Sequence, residues 1–192
     1  MPRISCNILF LICFFALEGG AAEVEGVRLA DTVRISGTAP ELVLNGAGVR
    51  TRFVFKVYVG ALYLQRKMAA AAEVLSDTAP KRVAMHLLRE LSSEQLLSAL
   101  NDGLKNNHTP EQLAAFEKQI RQLEGIFGAV KAAKAGDVIL IDYIPEHGTR
   151  IVVNGETRGT IPGSGFNQAL LRVWLGASPA DADLKKAMLG GG

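Results

Sequence analysis

The stretch Phe53-Val54-Phe55-Lys56-Val57-Tyr58-Val59-Gly60-Ala61-Leu62-Tyr63-Leu64 constrains this chain more than any other. It is rich in β-branched and aromatic residues and apolar on both of its alternating faces, the pattern of a strand at the centre of a sheet that is covered on both sides. Lys56 is the exception. Either its stem lies along the sheet with the ammonium reaching an edge, or it meets a ligand, and the pattern leaves both readings open.

The flanking segments say what kind of sheet this is. Residues 27–29, 32–35 and 42–44 read as strands punctuated by Gly37, Pro40, Gly46 and Gly48. Residues 68–75 are Ala-rich and helix-compatible, and 82–88 alternate Val83, Met85 and Leu87 with Arg82, Ala84 and His86, as a strand with one buried face does. Ser92-Ser93-Glu94-Gln95 is a capping-box pattern that opens a helix with Leu96, Leu97, Leu100 and Leu104 on one face, ending near Asn106 and Asn107. Thr109-Pro110-Glu111-Gln112 starts a second helix, which carries Leu113, Phe116, Ile120, Leu123, Phe127 and Val130 at helical spacing, so the two form an αα-hairpin. Strand 137–144 follows, then a hairpin of 149–153 and 157–161 around Asn154-Gly155, a pair suited to the positive φ angles of a type I′ turn. Helices over 166–175 and 179–189 close the chain. Strands and helices are segregated rather than alternating, which predicts an α+β fold with an antiparallel sheet, helices on one face, and any ligand in an apolar cleft between them.

At the N-terminus, Arg3 precedes an apolar run over residues 8–17, too short for a bilayer span, and small residues follow with Gly20 and Ala22 at the −3 and −1 positions of a cleavage site. This predicts a signal peptide over residues 1–22, a single domain over 23–192, a periplasmic or secreted location and no membrane span after cleavage. Cys6 and Cys13 both lie in the leader, so the exported chain would have no thiolate, disulfide or thiolate metal chemistry. The formal charge of +2 offers no basic surplus for nucleic acid.

Motifs for chemistry are sparse. His86, His108 and His147 are isolated in sequence, so neither a metal site nor a cofactor is expected. Gly46-Ala47-Gly48 lacks the third glycine and the following helix of a dinucleotide fingerprint, and Gly163-Ser164-Gly165 lacks the frame of a nucleophile elbow. What remains is a cationic group beside the central strand. On parity Arg50, Arg52, Lys56 and Tyr58 share a face if the strand has no bulge, and a guanidinium beside an apolar cleft suits a carboxylate or phenolate. The alternative is that these arginines decorate the sheet rim.

Asn45-Gly46-Ala47-Gly48-Val49-Arg50, followed by the strand ending Gly60-Ala61-Leu62-Tyr63-Leu64, resembles the opening strands of the chalcone isomerase superfamily. Strand 82–88 running into the helix at Ser92, the helix from Thr109, the Asn154-Gly155 hairpin and the closing Phe166…Trp174-Leu175-Gly176…Ser178-Pro179…Leu184-Lys185 follow in that family's order. The resemblance covers nearly all of residues 26–190 and is to the exported bacterial chalcone isomerase-like branch. It implies an open-faced β-sandwich, a curved antiparallel sheet with helices packed on one face and a cleft between.

In the plant enzymes of that family an arginine after the Gly-x-Gly-type turn holds a substrate phenolate while it closes a ring on the enone carbon, and Arg50 matches it. The family's strand threonine falls at or near Tyr58 and its helix tyrosine near Leu96, and Asn101 is the polar residue nearest the helix asparagine. Other relatives bind fatty acids through an arginine and a tyrosine. The resemblance therefore implies binding of an amphipathic small molecule, a fatty acid or an aromatic carboxylate or phenolate, with Arg50, Arg52, Lys56, Tyr58, Leu96 and Asn101 as ligand contacts. The alternative is a chalcone–flavanone-type isomerase, an intramolecular lyase with Arg50 and Tyr58 as catalytic groups. The missing helix hydroxyl favours binding, because a donor over the developing enolate is lost. The sequence leaves the natural ligand, any enzymatic activity and the oligomeric state open.

Overall fold

The computed structural model describes residues 21–37, 41–130 and 132–191. The leader up to residue 20, with Cys6 and Cys13, lies outside the described residues, as does Pro40; Ala22, the expected cleavage position, stands in the first strand.

In chain order the elements are β1 (Ala21–Val24), β2 (Val27–Ala30), β3 (Thr32–Val33), β4 (Leu42–Arg52), β5 (Phe55–Leu64), α1 (Ala71–Ser76), β6 (Lys81–Leu87), β7 (Leu91–Ser92), α2 (Ser93–Asn107), α3 (Pro110–Ala114), α4 (Glu117–Gly128), β8 (Ala132–Ala133), β9 (Val138–Ile144), β10 (Gly148–Val153), β11 (Glu156–Ile161), α5 (Ser164–Leu175) and α6 (Ala182–Met188). Seven strands form one curved antiparallel sheet in the order β11-β10-β9-β6-β5-β4-β3. The fold is α+β, an open-faced sandwich with the helices on one face.

The central strand is covered on both sides. Toward the helices, Leu62, Leu64, Val83, Met85, Ile139 and Ile141 pack with Leu100, Leu104, Phe127, Leu170 and Trp174. Toward the other face, Val59, Ala61, Tyr63 and Ala84 pack with Leu29, Ile35 and Leu42 from the N-terminal strands and their neighbours. Burying each of the Val, Leu, Ile, Met and Phe side chains among these contributes about 1.5–3 kcal/mol, so both layers stabilise the sheet.

Two capping boxes start helices where the sequence places them. The Ser92 side chain accepts from Gln95 N at 3.2 Å while Gln95 accepts from Ser92 N at 3.0 Å, and Thr109 and Gln112 repeat the exchange. The β10–β11 turn has Asn154 at φ 51° and Gly155 at φ 82°, the positive pair expected of Asn-Gly.

Four boundaries differ from the sequence reading. The helix expected from Thr109 breaks into α3 and α4 at Phe116, whose ring meets Phe166 edge-on at 6.0 Å. The last helix begins at Ala182, because Asp181 accepts from Leu184 N at 2.9 Å and caps it. β4 runs unbroken through Gly46 and Gly48, which are not turn residues. A Cβ at Gly46 would lie 2.1 Å from Ala187 O, and one at Gly48 would lie 2.6 Å from Ala187 Cβ, so these glycines let α6 lie directly on the strand. Asn45, the extra residue of a bulge just before them, fastens the same junction: its Nδ2 donates to Met188 O at 2.7 Å and to Met68 O at 3.0 Å, and its Oδ1 accepts from Met68 N at 2.7 Å.

The fourth difference is at the β4–β5 hairpin. The buried strand starts not at Phe53 but later, because Arg52 pairs with Phe55 and Phe53-Val54 form a two-residue turn. Phe53 sits at φ 57° in that turn and is 88% exposed. A side chain there costs about 1–2 kcal/mol relative to the right-handed region, and neither burial nor turn preference offsets it.

Candidate functional site

A β-bulge shapes the site. Arg50 pairs with Tyr58 but Thr51 pairs with Lys56, which leaves Val57 as an extra residue on β5. The extra residue resets the alternation, so Phe55, Val57 and Tyr58 all reach the helix side. Lys56 goes to the other side, where its Nζ donates to Glu25 Oε2 at 2.6 Å in the β1–β2 turn. The parity argument that grouped Lys56 with Arg50, Arg52 and Tyr58 assumed one unbulged strand; the turn at Phe53-Val54 pairs Lys56 with Thr51 and removes it from the group, and the bulge at Val57 brings Tyr58 back to the face of Arg50.

On the helix side the strands and helices enclose a cavity of about 260 Å³. Its sheet wall is Arg50, Arg52, Phe53, Phe55, Val57, Tyr58 and Met85, and its helix wall is Leu96, Ala99, Leu100, Phe127, Val173 and Trp174, with Arg89, Leu91, Gln95 and Ala180 completing it. Of the residues expected to touch a ligand, Arg50, Arg52, Tyr58 and Leu96 are brought together here. Lys56 and Asn101 are not, since Asn101 turns toward α4 and its Nδ2 donates to Glu124 Oε1 at 3.1 Å.

The polar end of the cavity is Arg50 with Tyr58. The Arg50 guanidinium carbon lies 5.7 Å from the Tyr58 ring centroid, and Arg50 Nε is buried without a hydrogen-bond partner. Trp174 Nε1 donates to Tyr58 Oη at 2.8 Å. That bond uses Oη as an acceptor and leaves the phenol proton to donate elsewhere. Burial pushes the phenol above its ordinary pKa, against the opposing pull of the Arg50 charge and the Trp174 bond, so Tyr58 remains a neutral donor. Asp181, which also acts on Tyr58, accepts from Thr51 N at 2.9 Å and Leu184 N at 2.9 Å and forms no ion pair with Arg50.

Among the described residues, Arg28, Arg34, Arg66, Arg82, Arg121, Arg150 and Arg158 each have a carboxylate within 4.0 Å. Arg50, Arg52 and Arg89 have none, and all three line this one cavity; Arg172, the other without one, borders a polar depression between α1 and α5. Arg52 and Arg89 lie over the rings of Phe53 and Phe55 at 5.9 and 5.1 Å. Three guanidiniums beside apolar surface without carboxylates can take an external anion.

Sequence reasoning missed Arg89 and Trp174. Arg89 follows β6 in an exposed turn, and Trp174 reads as one more apolar residue of an amphipathic helix; only the fold carries them to Phe55 and Tyr58. The histidines stand apart from the site. His108 and His147 contact the backbone oxygens of Leu104 and Pro145, and burial pushes the His86 imidazole below its ordinary range. The described residues contain no cluster of three or more metal-ligating side chains, and none of their helices is long and apolar enough to cross a membrane.

Tyr58→Phe is expected to destabilise the protein by about 1–3 kcal/mol, because the buried Trp174 N–H loses its acceptor while the ring remains in place. Urea unfolding followed by Trp174 fluorescence checks this; a midpoint equal to that of the parent would mean the indole finds another acceptor.

A search of curated protein sequences finds no match. Among solved structures, the fold is similar to the crystal structure of a fatty-acid binding protein from Arabidopsis thaliana, with a TM-score of 0.66 and 13% identity over 88% of this chain and 96% of that one. In sequence, residues 21–190 match the model of the chalcone isomerase-like family, to which the chain belongs.

Proposed function

We propose that the protein binds an amphipathic carboxylate, a fatty acid in the first place, and does so outside the cytoplasm after losing its leader near Ala22. One observation carries the ligand reading: Arg50, with no carboxylate of its own, stands beside the free phenol proton of Tyr58 at the polar end of an apolar cavity. A guanidinium and a neutral hydroxyl supply charge-assisted and ordinary hydrogen bonds to the two oxygens of a carboxylate, and Val57, Met85, Leu96, Leu100 and Phe127 take an alkyl chain. The fatty-acid binding protein with the same fold supports this class of ligand. The leader pattern in residues 1–22 supports export.

Ring closure of a chalcone is the weaker reading. It needs a donor over the enolate, and α2 turns Leu96, Ala99 and Leu100 to the cavity, with Gln95 as its polar side chain there. Native mass spectrometry of the protein purified from its own host, titration with fatty acids and a chalcone-cyclisation assay decide between the two. Co-purified or titrated fatty acid without cyclisation is expected. Cyclisation well above background in a protein that binds no fatty acid would overturn the proposal.

A further inference from the structure

We infer that the β4–β5 hairpin tip docks the protein on an anionic lipid bilayer, with the mouth of the cavity against the membrane. The inference rests on the binding reading above for its purpose, the exchange of an amphipathic ligand with the bilayer, but not for its geometry.

Phe53, Val54 and Phe55 are 88%, 84% and 57% exposed, and they are the exposed large hydrophobic side chains of the described residues. They are consecutive, at the end of a hairpin, and so project as one apolar point. Phe53 occupies a left-handed position in a two-residue turn, where glycine or asparagine is the usual solution. An aromatic ring placed there, 88% exposed and against the backbone preference, has inside the chain its approach to the Arg52 guanidinium and an edge on the cavity wall, and the rest of it meets water. Its gain must come from an outside surface that accepts apolar groups.

The surrounding charge says which surface. Arg52 and Arg89 flank the point without carboxylate partners, whereas Lys56 is neutralised by Glu25, and Glu90 is the acidic neighbour of Arg89 in sequence. Apolar residues beneath a collar of arginines match the acyl boundary and phosphate level of an anionic leaflet. The cavity is continuous with the same point, because Arg52, Phe53, Phe55 and Arg89 belong both to the tip and to the cavity wall. A ligand leaving the bilayer there enters the cavity without crossing water.

The test places a reporter on the tip at Val54, which is not part of the cavity wall. In the protein as exported, without the apolar leader, Val54→Trp is mixed with phosphatidylglycerol vesicles carrying brominated acyl chains, against the constant background of buried Trp174. Blue-shifted emission and quenching are expected, much weaker with phosphatidylcholine and reduced by salt. Val54→Asp in the same leaderless protein should slow transfer of anthroyloxy-palmitate from phosphatidylglycerol vesicles about tenfold, with its affinity for the free fatty acid unchanged. An emission from Val54→Trp that ignores the vesicles would overturn the inference while leaving fatty-acid binding standing. A blue shift without lipid that grows with protein concentration would overturn it too, by assigning the tip to a second copy of the chain. If instead palmitate fails to bind in solution while the tip is quenched, docking stands and the binding reading falls.

Discussion

Arg50→Met is expected to weaken fatty-acid binding about 10²-fold, close to 3 kcal/mol, with thermal stability unchanged or slightly raised. Methionine keeps the length and apolar character of the arginine stem, so the cavity wall stays closed against Tyr58. The ligand carboxylate, however, loses its counter-charge and is left desolvated beside a single phenol donor. Stability is spared because Arg50 has no carboxylate partner to strand and its Nε is buried without a hydrogen bond; what the substitution gives up is a cation–π contact with Tyr58 at 5.7 Å, worth roughly 0.5–1 kcal/mol. Calorimetric titration with palmitate reads the loss, and palmityl alcohol is the control: lacking the carboxylate, it should bind parent and variant alike. Equal palmitate affinity in the two proteins would move the anion to Arg52 or Arg89, which line the same cavity.

The parts of this fold that sequence reasoning reached are those in which a local pattern has a single physical solution. Ser92 with Gln95 and Thr109 with Gln112 can each satisfy the other's backbone only at a helix start, and Asn154-Gly155 only in a turn with two positive φ angles. The part of the run from Val57 to Leu64 could be placed inside a sheet because no other position covers both of its faces. The errors arise where one residue type serves two geometries. Gly46 and Gly48 look like turn glycines, yet they remain in a strand so that α6 can approach its backbone. Phe53 and Val54 look like strand residues and form the turn.

The candidate site was legible in part for the same reason. Parity on a single strand and the family resemblance both grouped Arg50 with Tyr58, and the fold keeps them together by setting them opposite each other on β4 and β5. Lys56 was misplaced because the chain turns at Phe53-Val54 and sets Lys56 opposite Thr51, while the bulge at Val57, which no side-chain pattern announces, keeps Tyr58 on the face of Arg50. Arg89 and Trp174 arrive from the end of β6 and from α5, and their meeting with Phe55 and Tyr58 is a property of the folded sheet and not of any window of sequence.

Asp142→Asn should have the largest effect on stability, a loss of about 3–5 kcal/mol out of a total on the order of 5–15 kcal/mol. Arg82, Asp142 and Arg150 are directly opposite one another on β6, β9 and β10. Asp142 is fully buried and accepts from Arg82 Nε at 2.6 Å, from Arg82 Nη2 at 2.9 Å and from Arg150 Nη2 at 3.2 Å. Asparagine keeps the shape but leaves two largely buried guanidiniums without a counter-charge between them. Replacing all three together, Arg82→Met with Asp142→Leu and Arg150→Met, should instead be neutral or stabilising, because no charge is then desolvated without a partner. Urea unfolding of the two proteins separates these outcomes, and a triple variant as unstable as Asp142→Asn would show that the row contributes more than the desolvation of its charges. Palmitate affinity should be the same in the folded fraction of both, since the row shares the face of Tyr63, its neighbour across β5, while Arg50 and Tyr58 line the cavity under the helices. Arginine thus serves this sheet in two ways. Where a carboxylate is built in on the face away from the helices it fastens strands, and where none is built in, at the cavity, it is left to meet an anion from outside.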